Sequence, residues 1–381
     1  PQITTGKRLK ELLKIYVEKM QPKSPREQEL AVRLLCRFLG DDDPLIETIT
    51  PEKADSFYDM LKGLPKTMTS ALSQRPILDV VSDMQSGKLN LPQTSPATAF
   101  KKLTLLNAMF SYAAARNLMR TPNPFSRVAG PKDKQPQVKR RPMRPEDLKS
   151  IFSASLFRGC ADYNNWRNEG GVVITNHRFW LPLLGMATGC RLEEIGQLLL
   201  SDVQVSGDII FLNITEEIEK EDAGTGPKSV KTSKSTRRIP VHQVIIDAGF
   251  QEYCDWLRAR GEKRLFPELP NVGKKTKRFS QWFNRDFRPT VGLAGPERTF
   301  HSFRHSFKDR CREAGLERDI HDALTGHADG AVGARYGDGH SLEKLKAAMD
   351  RITFPGFPAV PSRHGPFALD PAVGAIITSS D

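Results

Sequence analysis

Cysteine is scarce and unpatterned in this chain. Its five copies, Cys36, Cys160, Cys190, Cys254 and Cys311, are odd in number and nowhere spaced C-x-x-C. That spacing excludes a disulfide framework and a cysteine-built zinc site, and reads as ordinary reduced thiols. No apolar run approaches the ~20 residues of a membrane span, and no basic stretch followed by an apolar one opens the chain as a secretory leader would. There is no G-x-x-x-x-G-K-[ST] loop to cradle a nucleotide, no set of carboxylates spaced as in a two-metal nuclease, and no internal repeat. Neither a cofactor nor a metal is expected, and the expected location is the cytoplasm. The first residue is Pro1 rather than Met, which points to a processed or shortened end and leaves open whether a further domain stood upstream.

Positive charge is what the chain has in excess. Lys and Arg number 57 against 45 Asp and Glu, a formal net charge of +12 with an isoelectric point near 9.5. Such an excess attracts polyanions through counterion release, so nucleic acid is the first partner to consider. At 381 residues, 38% of them hydrophobic, the length suits two domains or one large one.

The first third, residues 1–127, reads as a small helical domain. "SPREQELAVRLLCRFLG" places Ser24 as N-cap, Pro25 at N1, Glu27 at N3 of a capping box and Gly40 as the stop. "TPEKADSFYDMLKG" repeats the device with Thr50, Pro51 and Gly63, and a third helix sets Phe100, Leu103, Leu106, Phe110 and Ala113 on one face. Residues 128–142, "VAGPKDKQPQVKRRP", have the composition of a basic linker, either a strap across a phosphate backbone or a solvated tether.

A mixed domain follows over residues 143–354. "HRFWLPLLGMATGCRLEEIGQLLL" is expected to be helical on both sides of a break at Thr188-Gly189, with Phe179 and Trp180 in the core, as is Trp282. "DIIFLNI" and "RRIPVH" read as short strands flanking a Lys-rich connection. "HQVIIDAGFQEYCDWLRARG" is expected as one helix stopped by Gly261, and the chain from Phe300 to Ile352 as mainly helical. Residues 355–381 form a Pro- and Gly-rich tail, extended, disordered or docked on a partner. The fold class is therefore mainly α with a small β-sheet (α+β).

Four stretches of the mixed domain offer cations or proton donors. In "ATGCRLEEIGQL", Arg191 opens a helix, where the dipole disfavours a cation; a bound anion, or a salt bridge to Glu193 or Glu194, accounts for it. "SVKTSKSTRRIPV" carries Lys231 and Lys234 ahead of a strand, at what is otherwise a solvated hairpin tip. In "HSFRHSF", His301 and Arg304 share a helix face. In "HADGAVGARYGDGH", Tyr336 stands among Gly333, Gly337 and Gly339, nine residues after His327; nothing there resembles core.

These groups share a logic. Two arginines can neutralise the charge growing on a pentavalent phosphorus, histidines move protons near neutral pH, and a tyrosine can carry a phosphoryl group covalently. Ionising a phenol of pKa about 10 at pH 7 costs roughly 4 kcal/mol, so a base or neighbouring cations must assist.

The set resembles the tyrosine recombinases, also called the phage integrase family, from about Arg144 to Phe354. "ATGCRLEEIGQL" looks like that family's first arginine box, "HSFRHSF" its H-x-x-R box, and "LTGHADGAVGARYG" its L-G-H segment with the nucleophilic tyrosine; "KTSKSTRRIPV" is similar to the hairpin bearing the catalytic lysine. The resemblance implies that Arg191, Arg304 and His327 bind the scissile phosphate. His301 would be the base toward the nucleophile Tyr336, and Lys231, or failing it Lys234, the acid for the 5′-hydroxyl. It further implies a helical, SAM-like core-binding domain at residues 1–127 that clamps double-stranded DNA with the catalytic domain. The expected activity is site-specific integration or excision of a mobile element through a 3′-phosphotyrosine, by a homotetramer on paired attachment-site cores, with the need for an accessory DNA-bending protein left open, in a bacterial cell or phage-infected host. A type IB topoisomerase or telomere resolvase is the alternative with the same chemistry, and a catalytically silent DNA-binding regulator the alternative without it. His305 and His340 stand outside the scheme.

Overall fold

The computed structural model describes residues 6–22, 24–128, 130, 140–228, 236–326 and 339–361, and the chain divides into two compact units, Pro1–Gln137 and Val138–Asp381.

The first unit is helical: α1 (Leu9–Met20), α2 (Pro25–Leu39), α3 (Pro51–Gly63), the short α4 (Ser70–Gln74), α5 (Ile77–Gln85) and α6 (Pro96–Ala115). Each contributes one apolar stripe to a shared core that includes Leu12, Leu35, Phe57, Val80 and Phe110, every such side chain worth about 1.5–3 kcal/mol on leaving water. Leu103, Leu106, Phe110 and Ala113 are buried along α6, and Phe100 packs at the core's edge. The start of α2 differs from expectation. Ser24 makes no side-chain cap bond, and Glu27 pairs instead with Lys101 of α6 at 2.8 Å, so a tertiary ion pair has displaced the capping box. The caps of α3 and α6 do form, Thr50 accepting from Lys53 N at 3.4 Å and Ser95 from Thr98 N at 3.2 Å. Gly63 belongs to the last turn of α3 rather than to a left-handed stop; a Cβ there would lie 2.7 Å from Val81 Cγ1.

The second unit comprises α7 (Pro145–Phe152), α8 (Ser155–Arg158), α9 (His177–Thr188), α10 (Leu192–Gly196), strands β1 (Val203–Ser206), β2 (Ile209–Ile214) and β3 (Arg237–Pro240), then α11 (Gln243–Ile246), α12 (Phe250–Ala259), α13 (Lys277–Trp282), α14 (Arg288–Thr290), α15 (His301–Glu313), α16 (Arg318–Thr325) and α17 (Leu342–Asp350). α13 continues through a π turn over Phe283–Phe287. The sheet is antiparallel in the order β1-β2-β3, with Val203 opposite Leu212 and Ile214 opposite Arg237. β1 was not among the expected strands: its four residues hold a single buried side chain, too little for a period-2 signal. The helix expected over 242–261 is broken by Gly249 at φ +87°, giving α11 and α12.

Helix α9 is the central post. Every residue from Phe179 to Thr188 is buried, as an apolar helix surrounded by neighbours must be. Trp282, at the core's edge, stacks with Arg178, whose guanidinium carbon is 4.8 Å from its ring centre. The opening of the tail is docked on its own unit: Phe357 packs edge-on to Phe152 with centroids 4.9 Å apart, Ala359 O accepts from Arg158 Nη1 at 2.7 Å, and Val360 is buried.

Candidate active site

Where α9 ends, Gly189 takes the left-handed conformation at φ +62° and turns the chain so that Arg191 starts α10. Gly189 also lies against α15, because a Cβ there would come 2.6 Å from Phe307 Cδ1. The Gly189 carbonyl, left over from the helix, accepts from Arg304 Nη1 at 2.7 Å, and Arg304 Nη2 donates to Thr325 O at the end of α16. Arg304 is 3% exposed. Two backbone carbonyls thus fix its guanidinium beside the start of α10.

Arg191 is held by Glu194, one turn on. The buried Glu194 carboxylate accepts from Arg191 N at 3.0 Å and from Arg191 Nη1 at 2.5 Å. Of the two accounts of an arginine at a helix start, the ion pair is therefore realised, and with Glu194; Glu193 turns away to Lys275 N and Thr276 Oγ1, at 2.6 and 2.5 Å. The pair leaves the Arg191 side chain 25% exposed, open to a further anion.

A third arginine, Arg237 of β3, completes the group: its Nη2 donates to Glu194 Oε2 at 2.8 Å. Sequence reasoning placed this residue only in a strand. The available signal was alternation, since Arg237 and Ile239 share a strand face and Ile239 is fully buried.

The electrostatics are those of an anion site. Burial, then the neighbouring charges of Arg191 and Arg237, pushes the Arg304 pKa down to about 10, so the group stays charged at neutral pH. Burial would raise the Glu194 carboxyl, but Arg237 and Arg191 outweigh it and hold it below the ordinary range. His301, the first residue of α15, is exposed at its surface edge; desolvation of the part of its ring set against the protein, then His305 and Arg304, lowers it to about 4. Its imidazole is neutral at pH 7 and able to accept a proton. His305 stacks edge-on at 5.0 Å, and His340 lies 3.2 Å from Asp319 of α16.

The structure thus brings Arg191, His301 and Arg304 together. Lys231, Lys234, His327 and Tyr336 lie outside the described residues. Their flanks are described. Lys228 is buried against Asp202, at 2.7 and 2.9 Å from its two oxygens, ahead of the lysine stretch; Gly326, at φ +62°, caps α16 just before His327.

The phage integrase family model matches residues 177–341, a span that contains all of these positions. Over that span the chain carries a phage integrase family domain. Its integrase fold is also that of solved structures: the Tn1549 transposon integrase bound to transposon right-end DNA (17% identity, TM-score 0.52, covering 88% of this chain and 97% of that one) and a lambda integrase dimer bound to a COC′ core site (16% identity, TM-score 0.51, covering 89% and 81%). Among curated proteins, a glutamyl-tRNA reductase of Polaromonas sp. (strain JS666 / ATCC BAA-500) is 28% identical over 147 residues, 35% of this chain. The match spans about a third of that relative's length (32%). The described residues of the chain form one antiparallel sheet and no parallel one. No helix among them is long and apolar enough to cross a membrane.

Proposed function

We propose that this protein is a site-specific DNA recombinase that cuts and rejoins strands through a covalent 3′-phosphotyrosine. The observation that carries the reading is the Arg191–Arg304 pair, held by Glu194 and by the Gly189 carbonyl and near enough for each charge to act on the neutral His301, within a phage integrase match that also contains Tyr336. Tyr336 Oη attacks the scissile phosphorus as His301 takes the phenol proton. Arg191, Arg304 and His327 bind the non-bridging oxygens and neutralise the charge growing there. The P–O5′ bond breaks, Lys231 gives a proton to O5′, and a free 5′-hydroxyl later reverses the step on the phosphotyrosine. The phosphodiester's energy is kept in that bond, so the rejoining needs no nucleotide.

The substrate is double-stranded DNA carrying attachment-site cores, bound by the helical unit 1–127 and by the catalytic unit 143–354, and the assembly a homotetramer on paired sites. A lambda integrase tetramer bound to a Holliday junction, 16% identical with a TM-score of 0.51, is among the similar structures and supports this arrangement. An accessory DNA-bending protein is part of the proposal, as is action in the cytoplasm.

The test is covalent trapping. Wild type and Tyr336→Phe are incubated with nicked DNA carrying candidate attachment sites and resolved in SDS. A DNA-linked band for wild type alone is expected. Tight binding without a band on any site would assign the chain to silent regulators, and relaxation of plasmids without exchange between duplexes to topoisomerases.

A further inference from the structure

We propose that Arg237 is a positioning residue that locks the phosphate-binding arginines to the segment leading into His327. The inference rests on the recombinase reading above.

Arg237 ties three elements with one planar group. From β3, its Nη2 donates to Glu194 Oε2 at 2.8 Å and to Cys190 Sγ at 3.2 Å, while its Nε donates to Leu324 O at 3.0 Å. Because Glu194 in turn holds Arg191 by both backbone and side chain, a continuous run of charge-assisted bonds joins Arg237 to the exposed edge of Arg191. At the other end, the last turn of α16 has carbonyls with no partner inside the helix. Leu324 O is taken by Arg237 and Thr325 O by Arg304, so two active-site arginines grip consecutive carbonyls immediately before Gly326. The guanidinium also presses on that glycine: a Cβ at Gly326 would lie 2.9 Å from Arg237 Nη1. With its side chain only 6% exposed, Arg237 is turned inward and acts on the phosphate through Arg191 and the α16 terminus. A lysine cannot substitute, since a single ammonium lacks the fork needed to reach Glu194, Cys190 and Leu324 O together.

Two full-length variants test this. Arg237→Lys keeps the buried charge opposite Glu194; Gly326→Ala leaves Arg237 in place and crowds its guanidinium. Each is compared with wild type for thermal melting, DNA binding and single-turnover covalent-complex formation on nicked DNA, normalised to the DNA-binding fraction. The scissile linkage is either a phosphodiester or a methylphosphonate, which has one negative charge fewer for the arginines to match. Both variants should bind DNA within about threefold of wild type yet form the complex roughly 10–100-fold more slowly on the phosphodiester, with a smaller deficit on the methylphosphonate. Rates within threefold of wild type would overturn the proposal. So would equal deficits on the two linkages, which would make Arg237 a general prop of the fold. Wild type inert on every DNA would instead bring down the recombinase reading itself, and the inference with it.

Discussion

His301 shows how a single side chain is tuned by its surroundings. Desolvation, followed by His305 and Arg304, favours the neutral ring and sets its pKa at about 4, whereas an unfolded histidine titrates near about 6.5. Between these values the unfolded chain binds more protons than the folded one, so this residue's contribution to stability is complete above pH ~6.5 and is lost as pH falls toward 4. Histidine-selective NMR titration should therefore find the His301 ring, identified by its loss in His301→Asn, neutral down to about pH 5, with its midpoint raised when DNA brings a phosphate beside it. The urea midpoint of wild type should also fall more between pH 7 and pH 5 than that of His301→Asn, by an amount its exposure keeps small. Equal losses would place the acid sensitivity elsewhere. At this scale Arg191, His301 and Arg304 were legible because each sits in a short local pattern. Arg237 was not, because its role depends on Glu194, 43 residues earlier, and on Leu324, 87 residues later.

Elements are positioned by caps and by glycines, and the two kinds of signal were unequally legible. Ser24 and Thr50 look alike in sequence, but only Thr50 caps its helix. Thr50→Ala should cost about 1 kcal/mol by urea denaturation and Ser24→Ala a few tenths at most; equal costs would contradict the difference between the two helix starts. Gly189 carries more. An alanine there must adopt φ +62° and meet Phe307 Cδ1 at 2.6 Å, a penalty on the order of 3 kcal/mol from left-handed strain and overpacking together. Because Arg191 lies two residues on and the Gly189 carbonyl anchors Arg304, Gly189→Ala should slow covalent-complex formation even at temperatures where it remains folded. Normal trapping in the folded variant would show the turn to be structural only. The break at Thr188-Gly189 was readable because glycine interrupts an otherwise apolar period. β1 was not, since only pairing with β2 defines it.

For the whole molecule the informative quantity is charge. A surplus of +12 gives a sequence-independent pull on DNA that falls steeply with salt, by roughly 10³–10⁵ in affinity between 50 and 200 mM for about six to ten neutralised phosphates. That slope separates the groups that hold the backbone from those that react with it. Tyr336→Phe removes no cation and should leave the dependence of log Kd on log salt unchanged. Arg191→Gln, which removes one partly exposed cation, should lower the slope by about one and weaken binding similarly on all sequences. A slope unchanged by Arg191→Gln would mean that this arginine serves only Glu194 and leaves the phosphate to others. A lowered slope together with lost trapping would place the same guanidinium on the DNA both before and during the chemical step, which is what a site that cuts and rejoins one bond requires.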